Sequence, residues 1–205
     1  MQIRTFPLSA YQANCYLLSK NDEAVIIDPG DSCQEIVKIL EREKLSVTHI
    51  LITHIHLDHF YAATEFAKLT GAKIHISPED GYLIKEEVDS WQECMYRSTC
   101  GMVDYEPFLP GSCEYLGEKC DVLSTPGHTP GSLTLHFPEL EQAFVGDVVF
   151  AGSVGRTDYN GGDHATLMDT IKSIIFKLPE QTKLYTGHGP TTTVLRELTH
   201  NPFVK

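Results

Sequence analysis

With 205 residues, 41% of them hydrophobic and 21% charged, the chain has the make-up of one well-cored globular domain and is short for two. A net charge of −12 repels phosphate backbones and argues against nucleic acid as a partner, and no apolar run reaches the roughly 18 residues of a membrane helix. The opening MQIRTFPLSAYQANCYLLSK lacks a basic stretch leading into an apolar one, so the expected location is the cytoplasm, with no membrane partner.

Residues 2–6, 12–19 and 24–28 read as strands, the last running into Pro29-Gly30. A helix is predicted over 33–44, with Ile36, Val37, Ile39 and Leu40 on one face. Residues 47–53 (VTHILIT) read as a buried strand. Residues 58–69 read as one helix with Phe60, Ala63, Phe66 and Ala67 aligned, stopped by Gly71, before a short strand at 73–76. Ile84, Val88, Trp91 and Met95 then recur at helical spacing, followed by irregular chain with Gly101, Pro107, Pro110 and Gly111. The stretch 77–119 is a candidate lid over a site. Strands return at 119–124, 132–137 and 142–146, and a Gly-rich loop (152–163) leads into a helix N-capped by Asp163. A last strand is expected at 183–185 and a last helix at 191–198. Strand runs followed by helices, without linker or repeat, indicate a single α/β domain over 1–205. Periodicity leaves two sheets sandwiched by helices and a Rossmann-type sheet both open, although no G-x-G-x-x-G follows an early strand.

The chemistry concentrates in T-H-I-H-L-D-H, residues 53–59. Histidines do not cluster for packing, because each ring carries two polar nitrogens that need partners. His54 and His56, two apart in extended chain, can converge on one ion; Asp58 and His59, where the helix begins, project differently and can reach a second. Further donors must come from elsewhere. Three Gly-flanked candidates sit at strand ends: His128 in P-G-H-T-P-G-S, Asp147 in V-G-D-V and His188 in T-G-H-G-P. Seven N and O donors suffice for two divalent ions sharing a carboxylate, and suit zinc, iron or manganese.

Together T-H-I-H-L-D-H, P-G-H-T-P-G-S, Gly146-Asp147 and T-G-H-G resemble the metallo-β-lactamase fold superfamily. The full set of seven is similar to its glyoxalase II-like (hydroxyacylglutathione hydrolase-like) enzymes, and the Gly155-Arg156-Thr157-Asp158 loop to their short, single-domain branch. The resemblance implies an αββα four-layer sandwich with the metal site at one edge of the two sheets. It implies that His54, His56 and His128 hold one ion, that Asp58, His59 and His188 hold the other, and that Asp147 bridges them. It also implies two divalent ions, zinc first and iron or manganese next, and a small-molecule thioester substrate such as S-lactoylglutathione. Longer glyoxalase II enzymes add a C-terminal helical domain that grips glutathione. This sequence, ending at Lys205, is expected to lack it, which loosens the tie to glutathione.

Two ions roughly 3.5 Å apart can lower the pKa of a shared water from about 15.7 toward 7, giving a nucleophile at neutral pH. The resemblance further implies that Asp58 and Asp147 are the catalytic carboxylates, offsetting the positive charge and fixing the spacing. A thioester suits the apparatus, since a thiolate with a parent pKa of about 8.5 departs without a dedicated acid. Alternatives are a lactonase or general esterase and a non-enzymatic metal-binding module. A mono-iron glutathione persulfide dioxygenase would use only His56, His128 and Asp147. Nuclease activity is disfavoured by charge, and β-lactamase activity by the missing export signal. Arg156 is a candidate contact for a substrate carboxylate, against a salt bridge with Asp158 or Asp163. His49, His75, His136, His164 and His200 read as surface or structural, with His164 a candidate outer support. The six cysteines read as buried or idle thiols, with a redox role between Cys94 and Cys120 as the alternative.

Overall fold

A meander opens the chain: β1 (Gln2–Leu8), β2 (Ala13–Lys20) and β3 (Glu23–Ile27) pair antiparallel in order. The structure, a computed structural model, describes residues 1–92 and 104–204. Two compact units contain them, Met1–Phe108 and Leu109–Lys205.

In the first unit, β3 continues through α1 (Gln34–Glu43) to β4 (Ser46–Leu51), and β4 through α2 (Leu57–Phe60) and α3 (Ala63–Thr70) to β5 (Lys73–Ile76). Both steps are parallel crossovers. After α4 (Leu83–Gln92), the two-residue β6 (Glu106–Pro107) adds in parallel to β5, giving, among the described residues, a six-stranded sheet, β1-β2-β3-β4-β5-β6. The outermost strands β1 and β6 each contain a proline, Pro7 and Pro107. Ile36, Ile39 and Leu40 of α1 and Ala63 and Phe66 of α3 share a core with Leu17, Ala24, Ile26 and Ile50 of the sheet. That is the apolar face predicted for both helices.

The helix expected over 58–69 is broken at residues 61–62. The Ala62 amide bonds to the Pro29 carbonyl at 2.9 Å instead of to its own helix, and α3 restarts behind it. The predicted helix around Ile84 and Val88 is α4; the Trp91 side chain and residues 93–103, including Cys94, Met95, Tyr96, Cys100 and Gly101, lie outside the described residues.

The second unit holds β7 (Gly111–Tyr115), β8 (Glu118–Ser124), β9 (Leu133–Phe137), β10 (Gln142–Gly146), β13 (Lys183–Thr186) and β14 (Thr192–Thr193), in the order β14-β13-β10-β9-β8-β7. A small ribbon, β11 (Val149–Phe150) with β12 (Ser153–Val154), follows β10. Leu167 and Ile171 of α5 (His164–Ser173) and Val194 of α6 (Val194–His200) pack on Ala143, Val145 and Leu184. Asp163 caps α5 as predicted, accepting from the Thr166 amide at 2.7 Å. β7 was not foreseen, because Gly111-Ser112-Cys113-Glu114 is polar and exposed. The described parts of the candidate lid are built into the units: 77–92 and β6 into the first, β7 and the start of β8 into the second.

Candidate metal centre

In the first unit the site grows from the ends of β3 and β4. The Asp28 amide bonds to the Leu51 carbonyl at 3.0 Å, bringing the two exits side by side. Asp28 has a φ of 52°, a left-handed conformation that aspartate tolerates better than most residues, and its side chain is buried. Its carboxylate accepts the Thr53 amide at 2.8 Å and the Thr53 hydroxyl at 2.6 Å, and meets His59 Nδ1 at 3.1 Å. A carboxylate only accepts, so His59 carries its proton on Nδ1. Because the Thr53 proton goes to Asp28, the Thr53 oxygen accepts from His54 Nδ1, 3.0 Å away. Both imidazoles thereby keep their lone pair on Nε2, the tautomer a metal needs.

Two more carboxylates grip this loop through its backbone. Asp80 accepts the Ile55 amide and Glu87, on α4, the Leu57 amide, each at 3.1 Å. Gly30 lets the strand come close: a Cβ there would sit 1.5 Å from the Asp58 carbonyl oxygen. The result is a tight cluster. The His54 ring lies 5.0 Å from that of His56 and 4.3 Å from that of His59, and the three are 2%, 8% and 0% exposed. His59 Nε2 is 3.8 Å from Asp58 Oδ2. Asp28, His54 and His59 offer donor atoms within 4.8 Å of one another, but the three bonds on Asp28 make it an orienting group.

The second unit supplies three donors from three loops. His128 lies between β8 and β9, Asp147 follows β10 and His188 follows β13. The Gly187 amide bonds to the Gly146 carbonyl at 2.7 Å, tying the last two loops together. One oxygen of Asp147 faces both histidines, His128 Nε2 at 3.6 Å and His188 Nε2 at 3.5 Å. His128 Nδ1 donates to the Arg156 carbonyl at 2.7 Å, which again leaves Nε2 as the ring's acceptor. That carbonyl can reach because residue 155 is glycine; a Cβ would sit 1.9 Å from the Asp147 carbonyl oxygen and 3.3 Å from His128 Nδ1.

The predicted residues thus gather as two sets, His54, His56, Asp58 and His59 in one unit and His128, Asp147 and His188 in the other. Tautomers fixed at His54, His59 and His128, beside carboxylates, make donor sets that fit divalent ions of the zinc, iron or manganese kind. The Arg156 side chain is engaged otherwise. It pairs with Asp158 through two bonds of 2.7 and 2.8 Å, donates to the Tyr159 hydroxyl at 2.9 Å and stacks 4.0 Å from that ring's centre. The guanidinium pulls the Asp158 carboxyl down to about 2. His164 is exposed on the first turn of α5. The residues missed from sequence are the supports: Asp28, Thr53, Asp80, Glu87 and the Arg156 backbone. Of these only Asp28, ending an apolar strand before Pro-Gly, left a visible signal.

The sheets, their order and these strand-end donors define a metallo-hydrolase. The chain belongs to the metallo-β-lactamase superfamily, whose family model matches residues 8–188, a span that includes all seven predicted donors. Over its whole length it is 33% identical to the hydroxyacylglutathione hydrolase GloC of Haemophilus influenzae, covering 98% of that protein. It is 31% identical to the probable metallo-hydrolase YqgX of Bacillus subtilis, again over 100% of this chain and 98% of the relative. Among solved structures, the BLEG-1 B3 metallo-β-lactamase matches with a TM-score of 0.90 and 33% identity over 100% of both chains. TTHA1623 in a di-iron-bound form matches with a TM-score of 0.88 and 32% identity, over 98% of this chain and 99% of that one. The two-sheet α/β architecture is therefore the metallo-β-lactamase fold. No helix among the described residues is long and apolar enough to cross a membrane.

Proposed function

We propose that the protein is a binuclear metal-dependent hydrolase cleaving a small-molecule thioester of the hydroxyacylglutathione kind. His54, His56 and His128 hold one ion, Asp58, His59 and His188 the other, and Asp147 is shared. The observation that carries two ions rather than one is the Asp147 oxygen set between His128 Nε2 at 3.6 Å and His188 Nε2 at 3.5 Å, as a shared ligand requires. The substrate class is supported by the full-length similarity to the relative named as a hydroxyacylglutathione hydrolase. Zinc is the expected metal, with iron next in view of the di-iron form of TTHA1623.

When bound, the ions supply Lewis acidity, lowering the pKa of water toward 7 and polarising the acyl oxygen. The chain does the rest. Asp58 and Asp147 offset charge and set spacing. Asp28 holds His59 directly and His54 through Thr53, while the Arg156 carbonyl holds His128. Burial of His54, His56 and His59 keeps water away from one side, so each dipole acts in a low dielectric. The leaving thiolate needs no proton from the chain.

A second reading is β-lactam hydrolysis, favoured by the match to BLEG-1 over the whole of both chains. One preparation tests both. Metals are measured on protein purified without chelator, and the same sample is assayed on S-lactoylglutathione, a lactone, an aryl ester and a cephalosporin. Two ions per chain and a preference for the thioester are expected. A β-lactam preference would install the second reading, and one iron with oxygen uptake would replace hydrolysis altogether.

A further inference from the structure

The β7–β8 hairpin turns through Leu116 and Gly117, both at positive φ (55° and 70°), a two-residue turn that fixes strand register. That register sets Cys113 directly opposite Cys120. Directly opposed residues of an antiparallel pair share a face, with Cα atoms about 4.5–5.5 Å apart, inside the roughly 4.4–6.8 Å that a disulfide spans. The Cys113 thiol donates to the Cys120 carbonyl oxygen at 3.5 Å. Access divides the pair. Cys113 is exposed on the outermost strand of its sheet, whereas Cys120 is 0% exposed. Burial, with the Cys113 thiol beside it, pushes the Cys120 thiol well up, so outside reagents meet it only through Cys113.

We propose that Cys113 and Cys120 form a reversible dithiol–disulfide site that takes oxidising equivalents from low-molecular-weight disulfides. Cys113, as thiolate, attacks one sulfur of the small disulfide; a mixed disulfide forms on Cys113 and the first small thiolate leaves, taking up the proton Cys113 gave up. The Cys120 sulfur then attacks the Cys113 sulfur and passes its proton to the second departing thiolate. The Cys113–Cys120 bond forms as the mixed disulfide breaks. Two cysteines lose two electrons and the small disulfide becomes two thiols. The site is independent of the hydrolase reading, since no residue proposed as a metal ligand takes part.

The test exposes the full-length, metal-loaded protein to glutathione disulfide at neutral pH, blocks remaining thiols and maps non-reduced peptides by mass spectrometry. A link between Cys113 and Cys120 with the loss of two hydrogens is expected, with Cys15 and Cys33 still blocked as thiols, and reduced glutathione should reverse it. Cys120→Ser should instead accumulate the glutathione adduct on Cys113, and Cys113→Ser should leave Cys120 unreacted. The proposal is overturned by a stable adduct on wild-type Cys113, by no reaction at Cys113, by direct reaction of Cys120 in Cys113→Ser, or by a link formed only after denaturation.

Discussion

The two units solve the same problem in opposite ways. The first packs four donors into six consecutive residues, His54 to His59, and braces them with carboxylates from other elements, Asp28, Asp80 and Glu87. The second gathers three donors from loops 19 to 41 residues apart in sequence (147 − 128 and 188 − 147) and braces them with backbone, the Arg156 carbonyl on His128 and the Gly187–Gly146 bond. A dense motif leaves little backbone to do the orienting, so side chains must. Dispersed donors come with turns, and turns have carbonyls and amides to spare. The first arrangement should therefore be sensitive to side-chain truncation at its braces, the second to an added atom at its crowded glycine, Gly155.

The largest effect is expected where the comparison predicts equality. His59→Ala and Asp147→Ala each remove a proposed ligand. Thioester turnover should fall by more than the roughly 10–100-fold typical of an outer support, with metal content dropping below two ions per chain. Full activity in either would break the shared site.

Next comes the first unit's brace. Asp28→Ala strands a buried amide and hydroxyl of Thr53, costing about 1–3 kcal/mol for each group left unsatisfied, and should weaken metal binding about 10–100-fold. Asp28→Asn keeps an acceptor and tolerates the positive φ, so it should lose less. Calorimetric metal titration and chemical denaturation check both, and equal losses would deny Asp28 its orienting part.

The second unit is tested by a pair of glycines. Gly155→Ala places a Cβ 1.9 Å from the Asp147 carbonyl oxygen and must displace the backbone that holds both Asp147 and His128. Gly189→Ala, beside His188, meets nothing within 4 Å and pays only for its φ of +70°, about 1–2 kcal/mol. Metal affinity should fall for the first and hold for the second.

A smaller effect separates the units by acid. His49 and His75 in the first unit and His136 in the second have pKa values lowered, chiefly by burial. Glu23, Glu106 and Asp121 partly oppose this, while the His49–His75 pair, 5.2 Å apart, and Lys119 reinforce it. Each folded pKa lies below the ordinary value of about 6.5, so beneath that pH the unfolded chain binds more protons and stability falls. Denaturant midpoints of metal-free protein should drop from pH 7.5 to 5.5. His75→Gln should flatten that slope more than His136→Gln, because His75 faces a second imidazole.

The smallest effect concerns Arg156. Its exposed pairing with Asp158 should matter little to stability. A raised KM in Arg156→Ala, with unchanged melting, would restore it as a substrate contact; unchanged kinetics would leave it a clasp for its own loop.

What could be read in advance follows from the same contrast. Three histidines and an aspartate in six residues announce themselves, because packing never asks for them. His128, Asp147 and His188 are singly unremarkable, and only the glycines beside them and the family resemblance marked them. Strands with apolar faces, such as 73–76 and 142–146, were legible to the residue. β7 was not, since an edge strand with exposed polar residues carries no alternation. Nor was the break at Ala62, which depends on a carbonyl from Pro29, or the role of Asp80 and Glu87, whose partners are backbone amides that sequence does not display.

The prolines of the outermost strands in the first sheet carry a last consequence. A sheet edge offers bare amides and carbonyls on which another chain can crystallise into a shared ribbon. Pro7 in the first strand and Pro107 in a last strand only two residues long each delete a donor. Replacing both with valine should leave the hydrolytic machinery intact while making the protein prone to fibrillar aggregation at high concentration.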